Sequence, residues 1–427
     1  MSIDLENIRA RFPALSITDN KLPRIYFDNP AGTQVPQSVI DAMNVCLVEA
    51  NANVHGSFIT SKHADDIVAG AHIAMADLLN AVSPDEIVFG QNMTTLTIHM
   101  SRCIGRLLKP GDEIILSRMD HDANVAPWLL LARDLDIEIR WLPFNTNTFE
   151  FDVDGLDGVL TERTRLVCVG AASNLLGTIN DVRSIVEKAQ GVGAMTYIDA
   201  VQAAPHLPID VQDLGCDFLV CSAYKFFGPH QGILWGRREM LDRLDAFKVR
   251  PAPDHLPGRF ETGTQSHEGM AGTTAAVDYL AWIGETMAGT RQGNYERFEG
   301  RRRDVHAALD CLFECEMGLA AHLVNGLKQL PGVRVQGVTD PEAMQRRVPT
   351  VSFTADGVSP DLVAAELGAR NIFVWSGNMY ALEPSRFLDL EEAGGVVRVG
   401  PVHYNSRAEI DTLLNALDDI LPHANVA

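Results

Sequence analysis

Residues 195–236 read MTYIDAVQAAPHLPIDVQDLGCDFLVCSAYKFFGPHQGILWG, and this stretch decides the fold class. It contains three short apolar runs, MTYIDA (195–200), DFLVCS (217–222) and GILWG (232–236). Runs of nearly continuous apolar character are typical of strands that are buried on both faces, as in a mostly parallel sheet covered by helices. The stretch therefore predicts the middle of such a sheet.

The same alternation of apolar runs and helical patterns extends from about residue 60 to residue 245. Helices are predicted over 94–108, 124–134 and 182–190. Strands that alternate with helices in this way indicate an α/β layer architecture. The further predicted strands are EIVFG (86–90), DEIILS (112–117), IEIRWL (137–142) and TRLVCVG (164–170).

The segment KVRPAPDHLPGRFETGT (248–264) interrupts this alternation. Helical patterns follow over 273–330, and a last helix is predicted over 406–420. Because domains hold roughly 150 residues each, a chain of 427 residues predicts two or three of them. We predict a large domain at 21–270, a smaller α+β domain at 271–427 and an N-terminal segment, 1–20, packed on the smaller domain. The smaller domain has predicted strands at 333–338, 349–354, 371–375 and 395–400.

Charge and cysteine content narrow the classes of partner. The chain has 35 basic and 56 acidic residues, and a net charge of −21 argues against nucleic acid or an anionic membrane as partner. Its seven cysteines are irregularly spaced and mostly lie in apolar runs, which is typical of reduced thiols in a cytoplasmic protein. Cys311 and Cys315 have no matching His pair, so no metal site is predicted. The chain lacks a signal peptide pattern and a membrane span.

Lys225 follows a buried strand and precedes the turn at Gly228 and Pro229. Ligands of open α/β sheets bind beyond the carboxyl ends of the strands. A lysine in an apolar setting there has a lowered pKa, and its free amine can attack a carbonyl group. The alternative is an ordinary surface lysine.

Other polar residues also follow predicted strands. Asp199 ends an apolar strand and is suited to pair with a protonated pyridine nitrogen, or else caps the next helix. Thr94 and Thr95 open a helix whose N-terminus suits an anion, although they also fit an ordinary N-cap. His121 and Asn174 suit contacts with a flat ring and its hydroxyl, but a lone His or Asn in a loop is usually structural.

Together, the order and spacing of these motifs resemble the pyridoxal 5′-phosphate (PLP) enzymes of the class V aminotransferase group, which contains the cysteine desulfurases. The resemblance runs from YFDNPAGTQVP (26–36) to RVGPVHYNS (398–406) and is densest in SNLLGT (173–178), IDAVQA (198–203) and SAYKFFGP (222–229). It implies the PLP-dependent transferase fold of type I, with a mostly parallel seven-stranded sheet, and a homodimer with shared active sites.

The resemblance also implies a role for individual residues. Lys225 forms the Schiff base with PLP, Asp199 pairs with the pyridinium nitrogen, and Arg398 binds the substrate carboxylate as a bidentate pair. His121 stacks on the ring and serves as a second acid or base. Asn174 and Gln202 contact the ring oxygen, and Asn174 also lies near the substrate. The implied phosphate contacts are Thr95 with Thr94 beside it, Ser222, Tyr224 and, reaching the site of the partner subunit, Thr264.

The chain departs from the desulfurase pattern in the region NIFVWSGNMYALEPSRF (371–387). Tyr380 stands close to where desulfurases carry their nucleophilic cysteine, and no cysteine occurs after Cys315. A hydroxyl group cannot form a persulfide. Trp375 replaces an arginine and predicts a less polar side-chain pocket, unless it belongs to the core. Tyr224 replaces a histidine, a mild change because its hydroxyl still donates to a phosphate.

These observations predict a PLP-dependent enzyme acting on an amino acid, desulfurase-like but without persulfide chemistry, with β-elimination of the C–S type as the first expectation. An aminotransferase or an epimerase is the alternative, because all three reactions begin with the same step at the substrate Cα. A non-catalytic protein that binds PLP or an amino acid is a further alternative. A nucleotide-binding enzyme lacks support, since neither GxGxxG nor GxxxxGK[ST] occurs.

Overall fold

The computed structural model describes residues 3–424, so residues 1, 2 and 425–427 of the predicted terminal segments lie outside it. Three short strands open the chain: β1 (Thr18–Asp19), β2 (Leu22–Pro23) and β3 (Ile25–Tyr26). The central sheet follows with seven strands: β4 (Ile87–Gly90), β5 (Glu113–Ser117), β6 (Glu138–Leu142), β7 (Thr164–Gly170), β8 (Met195–Asp199), β9 (Phe218–Ser222) and β10 (Gly232–Gly236). The remaining strands are β11 (Val333–Gln336), β12 (Val351–Ala355), β13 (Ile372–Phe373), β14 (Trp375–Gly377) and β15 (Val396–Val399). All of them except β13, which pairs with β3, form a smaller sheet.

The central sheet has the order β4-β10-β9-β8-β7-β5-β6, and β10 alone runs antiparallel to its neighbours. Its strands are apolar on both faces because both faces are covered. Ile115 and Val167 belong to one core cluster, whereas Ile114 and Leu166, their chain neighbours, belong to the other. The predicted mostly parallel seven-stranded sheet of fold type I is confirmed.

Helices surround the two sheets and match the predicted ones within a few residues where both exist. The helical patterns predicted over 273–330 correspond to two long helices, which a 3₁₀ turn at Gly289–Tyr295 separates. The helices are α1 (Leu5–Arg9), α2 (Gln37–Glu49), α3 (Ile59–Leu79), α4 (Met93–Gly105), α5 (Ala126–Leu135), α6 (Val182–Gly191), α7 (Val211–Leu214), α8 (Arg238–Arg243), α9 (His267–Met287), α10 (Gly300–Leu327), α11 (Pro360–Gly368), α12 (Leu382–Phe387) and α13 (Arg407–Ala424).

The smaller sheet has the order β11-β12-β15-β14 and carries Arg398 on β15. The single strand predicted over 371–375 is wrong. The structure divides it into β13, which pairs with β3 near the N-terminus, and β14, which pairs with β15. The partner of residues 372–373 is β3, which lies far earlier in the same chain. A local sequence pattern cannot predict such a long-range pairing.

The N-terminal residues connect the two halves of the chain. Arg9 on α1 donates hydrogen bonds to the main-chain oxygen of Tyr404 and to Glu409. The side chain of Phe12 is buried against the rings of Tyr279 and Tyr404. We keep the domain boundaries given above as a proposal. Across residues 3–424, the structure contains no helix of the length and apolar character that crossing a bilayer requires.

Candidate active site

The site lies where the parallel strands of the central sheet end. Asp199 is the last residue of β8, and Lys225 closes a short 3₁₀ turn directly after β9. His121 lies in the loop after β5, and Asn174 in the loop after β7. Because β5, β7, β8 and β9 run in the same direction, their carboxyl ends meet at one edge and bring these loops together.

One cavity at this edge collects eight of the ten residues predicted to contact the cofactor. It lies between the sheet edge and the start of α4, and Asp120 and Gly170 form part of its wall. Thr95 and Thr264 are outside it. The eight are Thr94, His121, Asn174, Asp199, Gln202, Ser222, Tyr224 and Lys225.

Lys225 is buried, with only 8% of its surface exposed. Its Nζ donates hydrogen bonds to the main-chain oxygens of Pro30 and, over 3.1 Å, of Ala31. Burial, aided by the positive charge of Arg398 and opposed by Asp199, lowers the pKa of Lys225 to about 7. The lysine is thus held in place by neutral acceptors, and much of it is a free amine near neutral pH.

Asp199 is also buried, and its Oδ1 accepts a 2.8 Å hydrogen bond from the amide of Val201. Burial raises the pKa of Asp199 to about 6, against the opposing effects of the Val201 amide and of Lys225. Among residues 3–424, that amide is the one hydrogen-bond donor to this carboxylate, so a cationic partner entering the cavity would stabilise its charged form.

His121 is held as a neutral ring. Its Nδ1 accepts a 3.0 Å hydrogen bond from the amide of Ala123, so the proton of the neutral imidazole is on Nε2. Burial, with the nearby charges of Lys225 and Arg398, lowers the pKa of His121 to about 3. A neutral ring suits stacking on a flat ligand, and the implied role of His121 as a second acid or base remains a prediction. In the structure, this ring stacks on Tyr380, with centroids 5.7 Å apart and an interplanar angle of 18°.

Two amide side chains offer unused acceptors. Asn174 donates through Nδ2 to the main-chain oxygen of Met379 over 2.9 Å, and Gln202 donates to Thr350 Oγ1 over 2.8 Å. The Oδ1 atom of Asn174 and the Oε1 atom of Gln202 are both buried without a partner. Buried acceptors are normally satisfied, so both are suited to a ligand that supplies donors, such as a ring hydroxyl or a protonated imine.

The two threonines of α4 point to different places. Thr94 lines the cavity of Lys225, whereas Thr95 lines a separate surface cavity that it shares with Thr264. The Thr95 hydroxyl closes the N-terminus of α4 by donating to the main-chain oxygen of Asn92 over 2.9 Å. Consecutive helix residues point about 100° apart, so only one of the pair faces a given cavity. The implied phosphate contact of Thr95 remains a prediction.

Arg398 is 5% exposed, and its Nη1 donates a 2.9 Å hydrogen bond to the main-chain oxygen of Asn174. Its Nε has no partner. Burial lowers the pKa of Arg398 to about 10, partly offset by Asp28. The guanidinium lines a wider cavity that opens from the first one, together with Lys225 and Tyr380.

Two acidic residues were not singled out from the sequence: Asp120, which lines the first cavity, and Asp28, whose charge acts on Arg398. Asp120 precedes His121 and accepts hydrogen bonds from Ser117 Oγ (2.5 Å), Gly170 N (2.9 Å) and Asn124 Nδ2 (2.7 Å). Burial raises the pKa of Asp120 to about 7 in spite of these donors. The backbone of Asp28 forms a single β-bridge with the backbone of Gly400. Burial raises the pKa of Asp28 to about 6. An acid directly before a loop histidine, as in MDHDAN (119–124), was the available signal for Asp120.

The segment 371–387, where the chain departs from the desulfurase pattern, contributes to the wall of the wider cavity. Trp375 is 51% exposed and lines the wider cavity, so it is not a core residue. Tyr380 is 75% exposed, and its main-chain oxygen accepts a 2.7 Å hydrogen bond from the amide of Asp122. All seven cysteines are among the described residues, and none lines either cavity. Six of them are buried, and Cys315 is partly buried on α10.

The chain is similar to known proteins over nearly its whole length. It matches the family model described as Aminotransferase class-V over residues 25–296 and 309–413. A probable cysteine desulfurase of Streptomyces coelicolor is 32% identical, covering 98% of this chain and 97% of that protein. The aminotransferase-like protein FGM3 of Gibberella zeae is 33% identical, covering 98% and 99%.

Solved structures agree with these relatives. The apo structure of a cysteine desulfurase from Thermococcus onnurineus is 27% identical and has a TM-score of 0.86, with 99% of each chain covered. The cysteine desulfurase CsdA of Escherichia coli is 26% identical, with a TM-score of 0.83 and coverage of 99% of this chain and all of that chain.

Proposed function

Since the chain belongs to the class V aminotransferase family of PLP-dependent enzymes, we propose that it holds PLP at Lys225 and acts as a lyase on an amino acid bound through its carboxylate at Arg398. In this proposal, the β-substituent leaves by cleavage of a C–S bond, and no persulfide forms on the protein. The observation that carries the proposal is a shared cavity system in which a buried Lys225 lies between a buried acid, Asp199, and a buried arginine, Arg398.

The residues of the first cavity suit the cofactor. Asp199 offers a carboxylate to a pyridinium nitrogen, and the unpaired oxygens of Asn174 and Gln202 offer acceptors to the donors around a ring hydroxyl. Ser222 and Thr94 supply hydroxyls near the N-terminus of α4, where the helix dipole favours an anion such as a phosphate. When bound, PLP supplies the electron withdrawal that weakens the bonds at the substrate Cα.

Each remaining step is assigned to a side chain. Arg398 orients the substrate by pairing with its carboxylate through the planar fork. Lys225 Nζ, with its lowered pKa, takes the proton from Cα. Asp199 would hold a proton on the pyridine nitrogen of the cofactor, and the neutral ring of His121 would pack against the cofactor ring. The leaving thiolate departs with the electron pair of the C–S bond and takes up a proton, and one water converts the remainder to pyruvate and ammonia.

The absence of persulfide chemistry is supported by the positions of the thiols. A persulfide cysteine must reach the sulfur of the substrate, and no cysteine among residues 3–424 lines the cavities of Lys225 and Arg398. Tyr380 lies at the mouth of the wider cavity instead.

An aminotransferase or epimerase is the second candidate, and one of the relatives favours it. The aminotransferase-like protein of Gibberella zeae resembles the chain as closely as the probable desulfurase of Streptomyces does. All three reactions begin with removal of the Cα proton by Lys225, so they share the same site. They differ in where the proton returns and in whether a β-substituent leaves.

The test is a visible absorption spectrum of the purified protein, followed by titration with amino acids under lactate dehydrogenase coupling. A yellow protein that releases a keto acid from one amino acid alone supports the lyase. A spectral shift that needs an added keto acid for turnover supports the aminotransferase, and exchange of the Cα hydrogen in D₂O without product supports the epimerase. A protein that stays colourless with PLP would refute all three.

A shared dimer site is part of the proposal. Thr264 is exposed on the chain and lies outside the cavity of Lys225, in a surface cavity beside Thr95. A residue in this position is available to a second subunit. Sedimentation should show a dimer, and a monomer with full turnover would refute the shared site.

A further inference from the structure

The wider cavity has a polar end and an apolar end. Lys225, Arg398, His121 and Asn174 lie at the polar end, where the proposed function binds the amino and carboxylate groups. The apolar end, here called the apolar annex, consists of side chains on three elements. These are Ile98 on α4, Pro127 and Leu130 on α5, and Trp375 on β14. The whole cavity measures about 930 Å³, which is large for a site that binds small molecules.

The annex is continuous with the site because of local geometry. Ile98 is one turn after Thr94 on α4, so both lie on the face that lines the cavity. Leu130 lies one turn after Pro127 on α5, and both line the cavity. Trp375 is the direct partner of Arg398 across the antiparallel strands β14 and β15, so the two side chains project from the same face of the sheet. A substrate held by Arg398 is therefore adjacent to the Trp375 ring.

Three of the four side chains of the annex are exposed although they are large and apolar. Ile98 is 44% exposed, Leu130 42% and Trp375 51%. Burying such side chains against an apolar ligand contributes about 25 cal/mol for each Å² removed from water. The annex therefore favours a ligand with an apolar group over a small or polar one.

Two polar side chains on either side of Gly377, next to the annex, are already engaged. Ser376 donates to Asp361 over 2.6 Å. Asn378 donates to Glu391 and accepts from the amide of Tyr380 over 3.1 Å. They leave little unused hydrogen bonding for a polar substrate side chain.

Charge at the cavity excludes acidic side chains. Within residues 3–424, Lys225 and Arg398 are the only lysine and arginine of the wider cavity, and the proposed function uses both. Asp122 adds a carboxyl group to the wall, which would repel an aspartate or glutamate side chain.

We infer that the substrate is a neutral amino acid with a large apolar side chain, which lies in the annex between Leu130 and Trp375. The inference rests on the proposed function, and for the lyase reaction it specifies a cysteine with an apolar group on sulfur. Elimination from such a substrate gives the corresponding apolar thiol, pyruvate and ammonia, with one water consumed.

The test measures binding by the change in visible absorbance of the PLP-loaded protein. L-phenylalanine and L-leucine have no leaving group on Cβ, so their dissociation constants are measured at equilibrium without elimination. We expect both to bind about tenfold more tightly than alanine, and aspartate to bind more weakly than alanine.

A matched pair of variants assigns the preference to the annex. Leu129 and Leu130 are neighbours on α5 with similar exposure, 37% and 42%, but only Leu130 lines the cavity. Leu130→Ala should weaken phenylalanine binding about tenfold relative to alanine binding, and Leu129→Ala should leave that ratio unchanged. Trp375→Ala, on a different element, should also reduce the preference for phenylalanine over alanine.

The outcomes separate the two proposals. A coloured protein that binds alanine or aspartate as tightly as phenylalanine refutes the annex but leaves the PLP enzyme intact. Equal effects of Leu129→Ala and Leu130→Ala also refute the annex. A protein that takes up no PLP refutes the proposed function and the annex with it.

Discussion

Arg398 Nη1 donates a 2.9 Å hydrogen bond to the main-chain oxygen of Asn174. This bond joins β15 of the smaller sheet to the loop after β7 of the central sheet. Arg398 is the proposed carboxylate-binding residue, and Asn174 is a proposed contact of the cofactor ring. The hydrogen bond between them therefore fixes their positions relative to each other. Within the described part of the chain, the buried Nε atom of Arg398 has no hydrogen-bond partner.

Replacing Arg398 tests the carboxylate site. Arg398→Ala should raise KM for the amino acid substrate by about tenfold to a hundredfold, because a hydrogen-bonded charge pair contributes about 1.5–3 kcal/mol. Arg398→Lys keeps the charge but not the planar fork, so its KM should lie between those of the wild type and Arg398→Ala. Steady-state kinetics with saturating PLP give both values. Unchanged KM in Arg398→Ala would mean that the carboxylate binds elsewhere.

The pH dependence of cofactor capture tests Lys225. Only the free amine attacks the PLP carbonyl, and burial lowers the pKa of Lys225 to about 7. The rate at which the apo protein takes up PLP should therefore rise with pH up to about 7 and then level off, whereas an ordinary lysine would give a rise towards about 10.4. Arg398→Gln should move the midpoint upwards, since the positive charge of Arg398 lowers the pKa of Lys225.

Lys225→Ala is the control for that experiment. The variant should fold and bind PLP without a covalent bond, so borohydride reduction followed by peptide mapping should find no labelled lysine. A rate that continues to rise above pH 9 in the wild type, or a label on another lysine, would contradict the assignment.

Much of this site was accessible from the sequence because strand ends are recognisable. The loops of His121, Asn174, Asp199 and Lys225 each follow an apolar run, and parallel strands bring such loops to one edge. The roles of Pro30 and Ala31 were not accessible, because their main-chain oxygens meet Lys225 across 194–195 positions of sequence. The division of residues 371–375 into β13 and β14 was missed for the same reason, since both partners are distant in the chain.

Asp199→Asn tests the partner of the pyridinium nitrogen. The variant can still accept the hydrogen bond from the Val201 amide, but it lacks the negative charge, so kcat should fall about a hundredfold or more. Asp217→Asn is a suitable control because Asp217 is a buried acid beside the opposite end of the same sheet, where it accepts from the Thr196 amide. Asp217→Asn should keep the kcat of the wild type. Equal losses in both variants would show a general effect of removing buried acids.

The pH dependence of stability tests Asp120, whose buried carboxyl lines the same cavity as Asp199. Burial raises the pKa of Asp120 to about 7, and an unfolded aspartate has a pKa of about 3.9. Between these values the folded protein binds the proton more strongly than the unfolded chain does. The contribution of Asp120 to the free energy of unfolding is therefore greatest at low pH and is lost as pH rises towards about 7.

Asp120→Asn removes this titration and keeps a neutral side chain of similar shape. Its free energy of unfolding should rise relative to the wild type by up to about 1.4 kcal/mol per pH unit between about pH 4 and 7. Urea unfolding of the apo protein at several pH values measures the difference. Asp199→Asn should show the same sign over a narrower range, because burial raises the pKa of Asp199 only to about 6. Parallel stability curves for the wild type and Asp120→Asn would mean that the buried Asp120 carboxyl does not carry the raised pKa.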